Sequence, residues 1–101
     1  MAQVTTQHTD QDLFDWDLST TKGYWESLPE MAIEWHEWDI DSRMDFLTDW
    51  PVTEERTARL LAMEVPLAPS DERAVRLRAL RALVARNRPT LEELEARIHE
   101  Q

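Results

Sequence analysis

Residues 72–87 read ERAVRLRALRALVARN, and this stretch predicts the longest helix of the chain. Leu77, Leu80 and Val84 recur at spacings of three and four residues, which places their side chains on one face of an α-helix. A second, flatter face suits close packing against another helix. Its residues are Val75, Ala79, Ala82 and Leu83.

Prolines flank this helix on both sides. Residues 66–70 read PLAPS and predict a linker, because two prolines bracket them. At the other end, Pro89 predicts the end of the helix. Thr90 followed by Glu93 is typical of a capping box, so a last helix is expected to begin there and to pack antiparallel against the long one. Its apolar stripe is Leu91, Leu94 and Ile98.

Three further helices are predicted before the linker. The first is expected to begin near Ser27, the second runs from a cap at Asp41 or Ser42 to a stop at Pro51, and the third is capped by Thr53. On the first of them, apolar residues share one side: Leu28, Met31, Trp35 and Trp38. Acidic residues occupy the opposite side: Glu30, Glu34, Glu37 and Asp41. No segment alternates as a strand would. We therefore predict an all-α fold, a small bundle of four to five short helices.

The N-terminal segment has a different composition. Residues 1–12 are polar, residues 13–18 read LFDWDL, and residues 19–23 read STTKG, which predicts a turn. We expect residues 1–23 to form an acidic, weakly structured and partly irregular docking segment. Residues 24–101 are expected to form a single helical domain that contains the linker.

Composition excludes several kinds of active site. The chain has no Cys and one Gly, so disulfides, Cys-bound zinc and glycine-rich phosphate loops are excluded. Its three His are far apart in sequence, and no Ser or His arrangement suggests a nucleophile with its base. No catalytic residue is predicted. Neither a targeting signal nor an apolar run of membrane-spanning length is present, so we expect a cytoplasmic protein that does not bind membranes.

Charge divides the chain into two unequal halves. Residues 1–50 hold twelve acidic and two basic residues, whereas residues 51–101 hold nine of each, so the net charge of −10 belongs to the first half. Such a field repels nucleic acid and favours basic protein surfaces, although acidic surfaces also serve solubility. Six arginines lie between residues 73 and 88 but point all round the helix without interleaved aromatics. We expect them to pair with the acidic first half and with Glu92, Glu93 and Glu95, in a monomer or a dimer, and not with nucleic acid.

A calcium-binding loop is the most specific metal site that the sequence suggests. Residues 15–26 place oxygen-bearing side chains at positions 1, 3, 5 and 12 of a calcium-loop register. Thr20 stands where the loop requires glycine, however, and Lys22 stands where it has an apolar residue. We therefore predict no metal site and no cofactor.

Five Trp, all between residues 16 and 50, are the most unusual feature of the composition. Trp35, Trp38 and Trp50 recur at helical spacing with other apolar residues, which predicts that they belong to the core. Trp16 lies between two acidic residues outside such a stripe. It is therefore the best candidate for an interface anchor.

These patterns together predict a non-enzymatic module that binds a basic protein through a Trp-rich anionic surface. An inhibitor, an antitoxin-like neutraliser and an assembly adaptor all fit this description. The predicted partner-binding residues are Phe14, Trp16, Leu18, Trp25, Glu30, Glu34, Glu37 and Asp41. The alternative is a structural homo-oligomer, in which the arginine-bearing helix of one subunit packs against the acidic half of another.

Overall fold

The computed structural model describes residues 10–100 and contains three α-helices. Helix α1 spans Asp10–Glu34, a single 3₁₀ turn follows at Trp35–Glu37, α2 spans Ile40–Ala62, and α3 spans Glu72–Ala96. No strand occurs among these residues. The predicted all-α class is confirmed, and the number of α-helices is three instead of four to five.

The helices run up, down and up. Helix α1 is parallel to α3, because successive contacts advance along both helices in the same direction. These contacts join Asp15 to Arg76, Trp25 to Asn87, and Ala32 to Arg97. Helix α2 is antiparallel to α3, and its contacts run in opposite directions along the two helices. They join Arg43 to Ile98, Glu54 to Arg88, and Glu64 to Arg81.

Buried stripes with alternating spacings of three and four residues explain this bundle. On α1 the stripe is Phe14, Leu18, Thr21, Trp25 and Leu28. On α2 it includes Trp50, Thr53, Thr57 and Leu60. On α3 it is Leu77, Leu80, Val84, Asn87, Leu91 and Leu94. This spacing is the one by which long helices pack side by side at small crossing angles.

Two predicted helix ends are wrong because the buried stripes continue past prolines. Pro51 lies inside α2 and Pro89 lies inside α3. A proline inside a helix costs about 3 kcal/mol, but each of these helices buries apolar residues on both sides of its proline. The predicted cap at Thr90 and the antiparallel pair of C-terminal helices are therefore also wrong, since both belong to the uninterrupted α3.

Pro29, inside α1, removes the N–H that would normally bond to the carbonyl of Trp25. The Asn87 side-chain amide on α3 donates to this carbonyl at 2.8 Å, and both residues are buried. A polar group of another helix thus replaces the missing backbone donor. The buried carbonyl would otherwise cost about 1–3 kcal/mol.

The predicted irregular N-terminal segment is also corrected. Helix α1 begins at Asp10 and passes through the expected turn at 19–23, so the proposed boundary after residue 23 lies inside a helix. Gly23 has no positive φ, and a Cβ at this position would meet nothing within 4 Å. The helix forms because Phe14 and Leu18 belong to its buried stripe. Residues 1–9 of the predicted segment lie outside the described residues.

Carboxylates cap two of the helices. Asp39 accepts from the Ser42 N–H at the start of α2, two to three residues before the predicted capping residues Asp41 and Ser42. Asp71 accepts from the Arg73 N–H at the start of α3. The connection between α2 and α3, residues 63–71, consists of turns and includes the predicted linker at 66–70.

A buried arginine ties the end of the chain to the bundle. The Arg43 guanidinium donates to the carbonyls of Trp35 at 3.0 Å and Ile98 at 2.9 Å, and also to that of Glu100. The Trp35 indole donates to the carbonyl of Arg97 at 3.1 Å. We call this set of contacts the C-terminal clasp. It joins the 3₁₀ turn, the first turn of α2 and the residues after α3.

Candidate protein-binding surface

Four of the five Trp form an aromatic cluster inside the bundle. Trp25 and Trp50 meet edge to face with ring centroids 5.0 Å apart. Phe46 contacts the rings of Trp35, Trp38 and Trp50 at centroid distances of 5.3–6.2 Å. Trp35 and Trp50 are buried and Trp38 is partly buried, so the prediction that these three belong to the core is confirmed.

The buried indoles of this cluster have internal partners. Trp25 donates to the Thr57 hydroxyl at 2.9 Å, and Thr57 in turn donates to the carbonyl of Thr53. Trp50 donates to a carboxylate oxygen of Glu54 at 3.0 Å. Because these N–H groups are satisfied inside the fold, their role is structural.

Three of the predicted partner-binding residues are corrected to core residues. Phe14, Leu18 and Trp25 expose 6%, 4% and 0% of their surface. The sequence predicts Phe14 and Leu18 on the surface because residues 13–18 alternate loosely between apolar and acidic residues and a turn is expected at 19–23. Spacings of four and three residues from Phe14 through Leu18 and Thr21 to Trp25 are the signal that reveals their burial.

Trp16 is the exposed tryptophan, with 60% of its surface accessible. The guanidinium of Arg56, on α2, lies 5.8 Å from the centroid of its ring. This contact is a cation–π interaction, and it leaves most of the ring accessible. Trp16 is therefore available to a partner, as predicted for the free chain.

The four predicted acidic residues are all exposed and lie where the chain passes from α1 to α2. We define the acidic surface as these four with two further exposed carboxylates of α2: Glu30, Glu34, Glu37, Asp41, Asp45 and Asp49. Glu37 is 3.6 Å from the His36 ring. Within residues 10–100, the other five carboxylates form no ion pair. The excess negative charge of the first half is therefore displayed to solvent.

The spacing on α2 concentrates this charge. Asp41, Asp45 and Asp49 follow one another at four-residue intervals, which puts them on neighbouring turns of one helix face. Like charges at this spacing destabilise a helix by about 0.2–0.5 kcal/mol per pair. No basic side chain of the described residues forms an ion pair with this row.

The basic side chains are mostly occupied elsewhere, largely by acidic residues of the second half. Arg88 binds Glu54 through two hydrogen bonds, which lower the pKa of Glu54. Glu64 is 2.7 Å from Arg81 and 3.8 Å from Arg78. Further ion pairs are Arg59–Glu55, Arg73–Asp71, Arg97–Glu93 and Arg97–Glu100.

The ion pairs of Arg76 and Lys22 involve carboxylates of the first half, and both carboxylates lie on α1. Arg76 binds Asp15 at 2.6 Å, and this hydrogen bond lowers the pKa of Asp15. Lys22 lies 3.9 Å from Glu26. Neither Asp15 nor Glu26 belongs to the acidic surface, so these ion pairs do not neutralise its charge.

Exposed apolar side chains accompany the acidic surface, and sequence reasoning missed them. Ile33 is 73% exposed, and Ile40 and Met44 are also exposed. Ile33 lies between Glu30 and Glu34 in sequence, so its exposure could be predicted from these acidic neighbours. An apolar patch bordered by charges is typical of surfaces that bind other proteins.

The calcium-loop alternative does not match the local structure. Residues 15–26 belong to the continuous helix α1, so Asp17 is turned by about 200° from Asp15 around the axis. Among residues 10–100, no three His, Asp or Glu side chains are grouped so as to hold a metal ion. None of the helices described combines the length and apolarity needed to cross a bilayer.

Comparison with known proteins yields no match. No protein-family model matches the chain, and neither a curated protein nor a solved structure is similar to it.

Proposed function

We propose that this protein is a non-enzymatic binding module whose acidic surface docks on a basic surface of another protein. One observation carries the proposal: within residues 10–100, five carboxylates of the acidic surface form no ion pair, while most basic side chains are paired elsewhere in the fold. Charges left unpaired in this way are free to meet the charges of a partner.

The acidic surface attracts a basic partner protein from a distance and also contacts it. Its carboxylates accelerate the encounter with a positively charged protein, and this effect weakens as salt screens the charges over about 8 Å. Ile33, Ile40 and Met44 are exposed among these charges and provide apolar area that a partner can cover. Inhibition, antitoxin-like neutralisation and assembly all use such a contact, and the partner's activity decides among them.

The proposal is tested by affinity capture with a matched pair of charge variants. The first variant carries Glu30→Gln, Glu34→Gln and Asp41→Asn on the acidic surface. The control carries Glu72→Gln, Glu92→Gln and Glu95→Gln, which removes the same charge from exposed positions of α3. We expect the first variant to lose at least tenfold in affinity for the captured protein and the control to lose less than threefold.

Three results would contradict the proposal. The first is a captured protein without a basic surface, and the second is capture that is equally strong at about 0.05 M and 0.5 M salt. The third is capture that disappears on nuclease treatment, since that would identify nucleic acid as the ligand. Sedimentation of the protein alone tests the homo-oligomer, which would form without any other protein present.

A further inference from the structure

Exposed apolar side chains concentrate along the boundary between α1 and α2. Ten large hydrophobic residues are exposed in the described chain, and five of them lie on this boundary. We call this boundary the α1–α2 groove and define it by Leu13, Trp16 and Tyr24 on α1, with Val52 and Met63 at α2. Isolated exposed hydrophobics need no explanation, but five along one boundary offer apolar area that a partner can cover.

Two cavities lie along this groove. One, of about 340 Å³, is lined by Tyr24, Phe46, Trp50 and Val52, with Asp49 and Arg56 at its edge. The other, of about 610 Å³, is lined by Leu13, Phe14, Leu60 and Met63, together with the charged residues Asp17 and Arg73. Each cavity is large enough to receive a leucine or aromatic side chain.

The separation of the cavities suits a helical ligand. Leu13 and Tyr24 are eleven residues apart on α1, and Val52 and Met63 are eleven residues apart in sequence. Eleven residues of helix correspond to about 16 Å, or three turns. A helix with apolar residues at positions i, i+4, i+7 and i+11 would place one end of its stripe in each cavity.

The charges beside the groove indicate the sign of the charge that the ligand carries. Asp17 borders one cavity and Asp49 the other, and neither forms an ion pair within residues 10–100. Two arginines also line the cavities, but Arg73 is paired with Asp71 at 3.0 Å and Arg56 is stacked against the exposed ring of Trp16. Unpaired carboxylates at both ends favour basic residues on the ligand.

We propose that the α1–α2 groove binds an amphipathic, basic α-helix of a partner protein, which packs beside α1 and α2 as a fourth helix. This inference rests on the proposed function, because it names the part of the basic partner that is bound. Apolar residues of the helix enter the two cavities, Trp16 covers its edge, and its lysines or arginines meet Asp17 and Asp49.

The test uses a synthetic helix of about 18 residues, with leucines at i, i+4, i+7 and i+11 and lysines at other positions. A scrambled peptide of identical composition is the control, since it has the same charge without the apolar stripe. At about 0.15 M salt, we expect the helical peptide to bind at least tenfold more tightly than the scrambled one. The indole N–H resonance of Trp16 should shift on binding, whereas that of Trp35 should stay, since it lies in the C-terminal clasp and donates to the Arg97 carbonyl.

A pair of uncharged variants locates the binding site. Tyr24→Ala with Val52→Ser removes apolar surface from the groove, and Val75→Ala with Val65→Ser removes exposed apolar surface outside both the groove and the acidic surface. We expect the groove variant to bind the helical peptide at least tenfold more weakly and the control to change its affinity less than twofold. Circular dichroism of both variants verifies that they remain folded.

The possible failures are distinguishable. Equal affinity for the two peptides, or no affinity for either, overturns the groove inference, and so does a groove variant that binds normally. The proposed function then still depends on the captured protein and on the acidic-surface variant. A dimer of the free protein that dissociates in the groove variant also overturns the inference, because the occupant would be a second copy of this chain.

Discussion

Helix α2 makes different contacts along its boundary with α3 and along its boundary with α1. Toward α3, Glu54 and Glu64 bind arginines at 3.0 Å and 2.7 Å, and the C-terminal clasp adds the bonds of Arg43. Toward α1, Trp25 and Thr57 form a buried contact. Outside this contact, the apolar residues along the α1–α2 boundary remain exposed. Helix α2 therefore has a closed edge toward α3, where these bonds stabilise the fold, and an open edge toward α1, where apolar residues remain exposed. Substitutions at the two edges should separate stability from binding.

The largest effect is expected at the closed edge. Arg43→Ala removes a buried guanidinium and leaves the carbonyls it bonds without their donor, so we expect a loss of about 3 kcal/mol in the free energy of unfolding. Urea denaturation measures this loss. Met44→Ala, at the exposed neighbouring residue, should change stability by less than about 0.5 kcal/mol. A loss below about 1 kcal/mol for Arg43→Ala would show that the clasp is dispensable.

The next effect concerns the contact between α1 and α3. Asn87→Ala leaves the Trp25 carbonyl unpaired and should cost about 1–3 kcal/mol. In a Pro29→Ala background, the new N–H at residue 29 can bond to that carbonyl within α1, so Asn87→Ala should cost at least about 1 kcal/mol less. Urea denaturation of the four proteins in this cycle gives the difference. Equal costs in the two backgrounds would mean that Asn87 does not compensate for Pro29.

Helical periodicity was sufficient to predict the fold class, and polar residues at buried positions account for much of what it missed. Thr21, Thr53 and Asn87 occupy the packed stripes, so each stripe looks interrupted in sequence. Prolines then suggested ends that the packing of α2 and α3 overrides. The exposure of Trp16 was predictable from its acidic neighbours, whereas the groove was not, because it depends on which faces of α1 and α2 meet.

Acid should weaken the closed edge. The hydrogen bonds from Arg88 lower the pKa of Glu54 below its usual value of 4.5, so the charged carboxylate stabilises the fold above that pH. This contribution is lost as the pH falls through the folded-state pKa. Glu54→Gln should therefore cost about 1 kcal/mol at pH 7, and its difference from the parent protein should shrink below pH 4.

The matched control for this titration is Glu55→Gln. Glu55 is exposed and lies 3.7 Å from Arg59, without a hydrogen bond across the boundary between α2 and α3. Its substitution should change stability by less than about 0.5 kcal/mol at either pH. Thermal denaturation between pH 3 and pH 7 compares the two variants. A Glu54→Gln deficit that stays constant over this range would exclude the ion pair as its cause.

The smallest effect on stability is expected at the open edge. Trp16→Ala removes an exposed ring and its contact with Arg56, so it should cost less than about 1 kcal/mol. Partner binding should weaken at least tenfold, because a desolvated aromatic anchor contributes strongly to an interface. Denaturation and titration with the captured partner give the two values. A loss of several kcal/mol in stability would instead place Trp16 in the core and remove the contrast between the edges.

The hydrogen bond from Asn87 to the Trp25 carbonyl also has an evolutionary consequence. Sliding α3 by seven residues along α1 would bring Leu80 or Leu94 to that carbonyl, and neither side chain has a donor. The contact therefore selects one alignment of the two helices among those that the leucine stripes permit. It also links positions 29 and 87 during sequence divergence. Related chains that keep the proline should keep a side-chain donor opposite it, and chains that lose the proline should be free to replace the asparagine with an apolar residue.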